Sequence, residues 1–538
     1  MLTRLKVSGF KNLVDVDVRF GPFTCIAGAN GVGKSNLFDA IGFLGALANS
    51  SLIEAAMSVR EGRTADVRSL FHRVGDGYDN TMSFEAEMIV PEKGTDDLGQ
   101  EAKASITFLR YSVELSLRKP ESRSSLGELE IVKEELERIN TTDSHRHLMF
   151  PHKMVWRKST IKGQRTASFI STEKEESSTT RIRLHQDRGE SGGRTTLYLA
   201  STLPRTVLSS VNNATENRTA VLVRREMQSW RRLQLEPSAL REPDMLSTPR
   251  RLGSNGSHLA ATLYRLAHAE TDPSIDLPNI IDTIQEVGVN VETHLTPGEN
   301  ASNNESKRGR SDVYAKVANR LLELIDDVRE VRVDVDPQRE LLTIFAKGKD
   351  RTSHSARALS DGTLRFLALA VIELDPEAQG VLCLEEPENG IHPARIPAML
   401  DLLRAIAMDV DYPIGPDNPL RQVIINTHSP IVVGEVTDDT LIVARSKETV
   451  RKKDNQRFQR VSFGCLSGTW RAAIVGSGES PDIVARGDLL KYLNPIFPLR
   501  SRPNVNGHPK VSKKQPKPQR VVDRLDLQEL LYFGDDPE

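Results

Sequence analysis

Apolar and polar residues alternate along Leu2 to Phe10 and again along Val14 to Phe20, the period of half-buried strands. Phe23 to Ala27 (FTCIA) is a short, nearly continuous apolar run and predicts a fully buried strand. From Asn36 to Ala48, Leu37, Ile41, Leu44 and Ala48 fall on one face of a helix. Residues 50 to 79 read as helical and then mixed. Met82 to Val90 and Ala104 to Leu117 alternate and predict a meander of strands, linked by the turn-rich Gly94 to Gln100. Leu126 to Ile139 (LGELEIVKEELERI) reads as a charged helix, too short for a coiled coil. Ser171 to Gly193 is rich in Ser, Thr, Glu, Arg and Gly, the composition of a loop. Regular structure resumes over Thr195 to Leu208 and Leu222 to Leu235, with helices over Gly256 to Ala267 and, weakly, Ile281 to His294. Pro297 to Ser311 reads as a polar break. An amphipathic helix follows over Asp312 to Ile325, then strands at Val328 to Val335 and Leu341 to Ala346. From Leu359 to Ala444 the pattern is alternating α/β. Its two apolar runs, Gly380 to Leu384 and Gln422 to Asn426, suit parallel strands covered on both faces.

With 538 residues the chain exceeds one ordinary core, so two or three units are expected. The net charge of -2 leaves no global nucleic-acid footprint, and three cysteines make no disulfide framework. No stretch approaches ~20 continuous apolar residues, and the N-terminus is strand-like rather than a signal peptide. A cytoplasmic protein with no membrane contact is the expectation. Ser501 to Arg520 is basic and Pro-rich and reads as a linker; Val521 to Phe533 is a short amphipathic end. Two readings of this tail stay open: a tether that docks a partner, or a segment that folds back on its own subunit.

Candidate chemistry centres on Gly28-Ala-Asn-Gly-Val-Gly-Lys34-Ser35, a GxxxxGKS stretch between a predicted buried strand and a predicted helix. The glycines let backbone N–H groups close around a polyphosphate, and the helix dipole adds a favourable field. Lys34 would reach the β- and γ-phosphates and the Ser35 hydroxyl would bind Mg²⁺. Glu385 and Glu386 end the first apolar run of the α/β region; Thr427-His428-Ser429-Pro430 ends the second. Open α/β sheets bind ligands outside the carboxyl ends of their strands, so these sets would converge on one nucleotide. One acid beside Ser35 would hold Mg²⁺, the next would polarise the attacking water, and His428 would sense the γ-phosphate. Ser360 in Leu359-Ser-Asp-Gly-Thr363 is a good N-cap for the apolar helix behind it, which alone describes an ordinary core helix. Two basic–aromatic runs, Arg224, Arg225, Trp230, Arg231, Arg232 and Lys153, Trp156, Arg157, Lys158, fit either a nucleic-acid surface or core Trp with solvated cations. His145, His147 and His152 lack cysteine partners and read as solvated loop residues.

GANGVGKSN, LSDGTLRFLAL, VLCLEEPENGIHP and INTHSP, in that order, resemble the ABC-type ATPases of the SMC, RecF and OLD proteins. The likeness is greatest to the prokaryotic AAA-family branch that reads SDGT, EEPENG(I/L)HP and THSP. It covers residues 1–445, most strongly 1–48 and 357–445. The resemblance implies an α/β, ABC-type P-loop ATPase head with an antiparallel β lobe, an inserted α/β region and a C-terminal extension. The implied division is a nucleotide core of 1–50 and 335–445, an inserted lobe of 51–334, an extension of 446–500 and a tail of 501–538. Carried over by motif, Gly28, Asn30, Gly31, Gly33, Lys34, Ser35 and Asn36 bind ATP. Ser360 and Gly362 contact the γ-phosphate held by a second head. Ser35 and Glu385 hold Mg²⁺, Glu386 is the catalytic base and His428 the switch histidine. Two departures stand out: the usual Walker B Asp is Glu385, and the signature is LSDGT rather than LSGGQ. Gln100 is a weak candidate for the Q-loop glutamine. The resemblance further implies a homodimer or higher oligomer through ATP-sandwiched heads, a separate nuclease or effector protein, and DNA as a further ligand. The implied setting is an anti-phage system such as Septu, the alternative being DNA repair or recombination of RecF/SMC type. No Toprim-like acidic set follows Ala444, which disfavours a nuclease in the same chain.

Overall fold

The computed structural model describes residues 1–59, 66–118, 128–174, 179–187, 194–268, 299–325, 328–451, 455–473, 482–485, 487–489 and 518–523. The expected helix at Ile281 to His294 lies outside them. The chain packs as two compact units: Met1–Arg232 with Gln379–Glu386 and Ala407–Glu538, and Leu233–Ala378 with Pro387–Ile406. These cuts fall at other places than the motif-based division.

In the first unit, in chain order, are β1 (Leu2–Ser8), β2 (Val16–Arg19), β3 (Phe23–Ala27), helix α1 (Lys34–Leu47), β4 (Thr81–Ile89), β5 (Phe108–Arg118), β6 (Glu128–Arg138), β7 (Ile170–Lys174), β8 (Thr180–His185), β9 (Thr195–Leu199), helix α2 (Ala214–Gln228) and β10 (Arg231–Leu233). The second unit carries α3 (Leu259–His268), α4 (Glu299–Leu324), β11 (Val328–Asp336), β12 (Leu341–Gly348) and α5 (Asp361–Leu374). The chain continues through β13 (Gly380–Glu385), α6 (Ile396–Ile406, in the second unit), β14 (Arg421–Thr427), α7 (Pro430–Glu435), β15 (Leu441–Val450) and β16 (Arg457–Gly464).

Two large sheets dominate the first unit, beside two short two-stranded ones. One has eight strands in the order β9-β8-β7-β6-β5-β4-β1-β2, all antiparallel. The other has the order β10-β13-β14-β3-β15-β16, with β13, β14, β3 and β15 parallel. Helix α1 joins the two. Phe43 on α1 stacks on Phe10 at 5.8 Å and meets Phe84 of β4 at 5.5 Å. The architecture is thus α/β with a large antiparallel lobe. In the second unit, β11 and β12 form a small antiparallel sheet, and the buried Val317, Leu321 and Leu324 of α4 supply its apolar face.

The helix expected at Leu126 to Ile139 is not found among the described residues of that stretch. Its described part, Glu128–Arg138, is strand β6, paired along β5 with a bulge between Ile131 and Lys133. Leu129 and Ile131 turn inward, the bulge resets the period, and Glu134 and Leu136 turn inward after it. Outward acids pair across the sheet: Arg118 lies 3.5 Å from Glu130 and Arg110 3.7 Å from Glu137. A bulge plus a buried acid gives the helix-like spacing seen in the sequence. The expected break at Pro297 to Ser311 also differs, because 299–311 belong to α4. No proline interrupts Glu299 to Leu324, and extending a formed helix costs far less than starting one. At the far end, 518–523 of the tail lie on the chain's own first unit. Asp438 N–H donates to the Gln519 carbonyl at 3.0 Å, Val521 N–H to Val436 at 3.2 Å, and Val521 is fully buried. The rest of the expected tail, 501–517 and 524–538, lies outside the described residues.

Two fully buried acids in the antiparallel lobe are treated oppositely. Burial raises Glu87, but His147, Arg110 and Arg4 outweigh it and hold its carboxyl at about 2. Glu134 meets only neutral donors: Val207 N–H at 2.7 Å, Leu208 N–H at 2.9 Å and the Tyr111 hydroxyl at 3.1 Å. Burial wins over those bonds and pushes it up to about 7. A carboxyl raised on folding stabilises the fold while protonated in both states. That contribution is lost as pH rises from the ordinary 4.5 to about 7. The melting midpoint of the wild type should therefore fall relative to Glu134→Gln from pH 5 to 7, by up to about 3 kcal/mol of stability, and level off above. Parallel pH profiles for the two proteins would refute the buried neutral acid.

Candidate functional site

The GxxxxGKS stretch joins β3, all five residues buried, to α1. Gly33 caps the helix at φ +110°, and an added Cβ would lie 2.3 Å from the Asn12 side chain. No side chain caps α1, and of its first-turn N–H groups that of Asn36 donates to the Gly33 carbonyl at 3.0 Å; the helix start remains suited to an anion. Asn12 braces the loop: its amide donates to the Val32 carbonyl at 3.1 Å, and its oxygen accepts from Asn36 at 2.8 Å. Lys34 is buried, its ammonium donating to the carbonyls of Gly28 at 2.6 Å and Ala29 at 3.0 Å. Ala29, Asn30 and Gly31 are exposed at the loop tip.

Glu385 ends β13, opposite Asn426 of β14 in the parallel register. Glu386 then turns with φ +45°, a left-handed conformation uncommon for a residue with a Cβ. Asn426 holds it there, accepting the Glu386 N–H with both its carbonyl (3.1 Å) and its side-chain oxygen (3.0 Å). So directed, Glu386 Oε1 lies 2.7 Å from His428 Nδ1. Glu385 Oε1 is buried and accepts no hydrogen bond; Arg232 Nε stands 3.5 Å away. Burial and the Glu385 charge push the Cys383 thiol well up, which keeps it protonated and inert.

These features fit a magnesium nucleotide. An uncapped helix N-terminus, a buried lysine at the loop and a carboxylate oxygen lacking a donor are what phosphates and a hard cation require. Among the described residues no group of three or more His, Cys, Asp or Glu side chains could hold a metal ion. Ser35 and Glu385 would therefore share it with phosphate oxygens, the usual manner of Mg²⁺.

Of the sequence-predicted residues, Gly28, Asn30, Gly31, Gly33, Lys34, Ser35, Asn36, Glu385, Glu386 and His428 lie in the first unit, and Ser360 and Gly362 in the second. Ser360 caps α5, accepting the Thr363 N–H at 3.2 Å, and is exposed. Gly362 lies against the Gly390 carbonyl, which an added Cβ would meet at 2.3 Å. Arg241 pairs with Asp361 and Arg365 donates to the Asn389 carbonyl, pinning the same helix start.

Asn12, Asp39, Arg232 and Asn426 were not singled out for the site from sequence. Only Asp39, a lone acid in an apolar helix four residues after Ser35, carries a signal there. Several residues of the basic–aromatic runs have partners within the chain. Trp230 is buried and donates to Glu226 at 3.1 Å; Arg224 is buried against Asp97 and the Ala48 carbonyl; Arg225 donates to Thr95 and Asp96. Trp156 is fully buried, Arg157 donates to Ser144 at 2.8 Å and Lys153 lies 3.1 Å from Asp411. His147 pairs with Glu87, and Gln100 accepts from Thr215 at 3.3 Å.

The profile of the AAA_21 family, described as "AAA domain, putative AbiEii toxin, Type IV TA system", matches residues 23–167 and 224–434. No curated protein matches the chain. Among solved structures it is similar to an Smc head bound to the C-winged helix domain of ScpA, at 14% identity and TM-score 0.38 over 86% of this chain and 98% of that one. An Smc head with an extended coiled coil, bound to the C-terminal domain of ScpA from Pyrococcus furiosus, gives 14%, 0.37, 86% and 96% in the same order. The SMC head domain from Thermotoga maritima gives 12%, 0.33, 87% and 99%. Among the described residues no helix is long and apolar enough to cross a membrane.

In a helix, Gly→Ala ordinarily stabilises by roughly 1 kcal/mol. At Gly362 the sign should reverse, because the contact is with backbone that cannot swing aside. A lowered melting midpoint for Gly362→Ala is expected. A raised one would show that Gly390 does not pack on the helix start.

Proposed function

The chain belongs to the AAA_21 family, and from that premise we propose that it is an ATPase using Mg²⁺, a switch whose heads close on ATP and reopen on hydrolysis. The observation that carries this is the order β13-β14-β3. It sets Glu385–Glu386, His428 and the Gly28–Ser35 loop at the carboxyl ends of three adjacent parallel strands.

Backbone N–H groups of Gly28 to Gly33 and of the first turn of α1 bind the phosphates. Lys34 exchanges the carbonyls of Gly28 and Ala29 for phosphate oxygens, and Asn36 keeps Asn12 under the loop. Ser35 and Glu385 would hold the Mg²⁺, which would offset the charge that develops during transfer. Glu386 takes the proton of the attacking water. His428, 2.7 Å from that carboxylate, orients it and reports on the γ-phosphate. Ser360 and Gly362 complete the site of a second copy. The exposure of Ser360 at an intact helix cap supports this.

Glu386→Gln should bind ATP as the wild type does and turn over at least ~100-fold more slowly, the loss expected for a general base. Lys34→Ala should lose binding. Equal turnover of wild type and Glu386→Gln would sink the assignment.

Ser360→Arg should keep nucleotide binding by single heads but stop ATP-dependent dimer formation in sedimentation. Normal hydrolysis by a strictly monomeric Ser360→Arg protein would remove the two-head arrangement.

We propose further that the switch is the ATPase and sensor subunit of an anti-phage system and acts with a separate nuclease. This reading rests on the likeness of the SDGT, EEPENGIHP and THSP motifs to the prokaryotic branch named above. Phage plating on cells carrying the wild type or Glu386→Gln, each with its genomic neighbours, tests it. Equal plaque numbers would argue against defence.

A further inference from the structure

We infer that Arg232 is a positioning residue for Glu385, bridging that carboxylate to Asp39 on α1. The inference rests on the proposed role of Glu385 in holding Mg²⁺.

Asp39 has a fully buried side chain, and its two oxygens are divided between two cations. Lys11 donates to Oδ2 at 2.7 Å and the Arg232 guanidinium to Oδ1 at 2.8 Å. The same guanidinium turns its Nε edge toward Glu385 Oε1 at 3.5 Å. Arg232 lies on β10, the neighbour of β13 in the sheet order, so the strand that carries it runs beside the strand that carries Glu385. Asp39 stands four residues after Ser35, one turn along the same face of α1. A continuous link therefore runs from the helix of Ser35 through Asp39 and Arg232 to Glu385, joining the two residues assigned to the cation.

Glu385 needs such a link because it is one methylene longer than the usual aspartate. The extra torsion lets the carboxylate swing at the strand end, and each freely rotating bond fixed on binding costs free energy. A guanidinium anchored on Asp39 restricts that swing before any ligand arrives. It also compensates the charge of an oxygen that accepts no hydrogen bond. Arg suits this better than Lys. Its planar fork presents separate N–H edges to two carboxylates at once, whereas an ammonium is a point charge. Asp39, neutralised by Lys11 as well, fixes the guanidinium rather than competing for it.

The test separates metal positioning from folding and from nucleotide binding as such. A fluorescent ATP analogue is titrated in EDTA and then at rising Mg²⁺, with wild type, Arg232→Gln and Arg232→Lys, and melting midpoints are recorded alongside. Arg232→Gln should raise the Mg²⁺ concentration for half-maximal tight binding about tenfold, the usual cost of losing an outer-shell partner. Its affinity in EDTA should stay near wild type, its melting midpoint should drop because the buried Asp39 loses one of its two cations, and Arg232→Lys should recover only part of the Mg²⁺ response. An unchanged Mg²⁺ midpoint, full rescue by Lys, or equal losses with and without Mg²⁺ would each overturn the inference while leaving the ATPase reading intact. A wild type with no Mg²⁺-dependent nucleotide binding would remove the ATPase reading and this inference together.

Discussion

The parallel register of β13, β14 and β3 is the constraint on which the site depends. Glu385 stands opposite Asn426, and Thr427 opposite Ala27, so three chain segments stop at the same level of one sheet. A slip of one residue in either pairing would point every side chain of that strand to the other face. Glu386 would lose both Asn426 acceptors and His428 would leave its carboxylate. The interior of these strands is almost wholly apolar and buried, which fixes the register strongly. Chemistry at the strand ends is thus specified by packing in their middles.

Around that sheet the first unit spends buried charge sparingly and matches it locally. Asp39 carries two cations, and Glu87 gathers Arg4, Arg110 and His147. An unpaired buried carboxylate would cost several kcal/mol, and both are matched by cations from other strands or loops. Glu134 shows the other solution. Given only N–H and hydroxyl donors, it rises toward neutrality instead. The difference is one of partners, since burial alone treats the two acids alike.

Local features of the site were legible in the sequence because the period and the turn chemistry encode them. FTCIA, the Gly-rich turn and the helix behind it occur as read, and so do the Ser360 cap and the apolar strands before Glu385 and His428. The misread helix at 126–139 failed for a physical reason. A bulge shifts the alternation, and an inward Glu134 looks like a surface residue until its three donors are seen. The link through Arg232 was beyond reach in the same way. Its partners, Asp39 and Glu385, are far away in the chain, and the surrounding run of arginines and tryptophan resembles a binding surface. Only packing shows that Trp230 is core and that Arg224 and Arg225 serve internal acceptors.

Glu386 joins these threads. It precedes Pro387, and a residue before proline is pushed toward extended backbone. It nevertheless holds φ +45°, a conformation that costs on the order of 1–3 kcal/mol for a residue with a Cβ. Two acceptors on Asn426 offset that cost at its N–H. In an extended conformation the Glu386 side chain would stand on the face of the sheet opposite to that of Glu385. Turned left-handed, it comes back across to His428, which follows Asn426 by two residues. The strain is therefore what aligns two side chains from neighbouring strands. Asn426 sustains the strain because it lies buried in the register that also fixes Glu385.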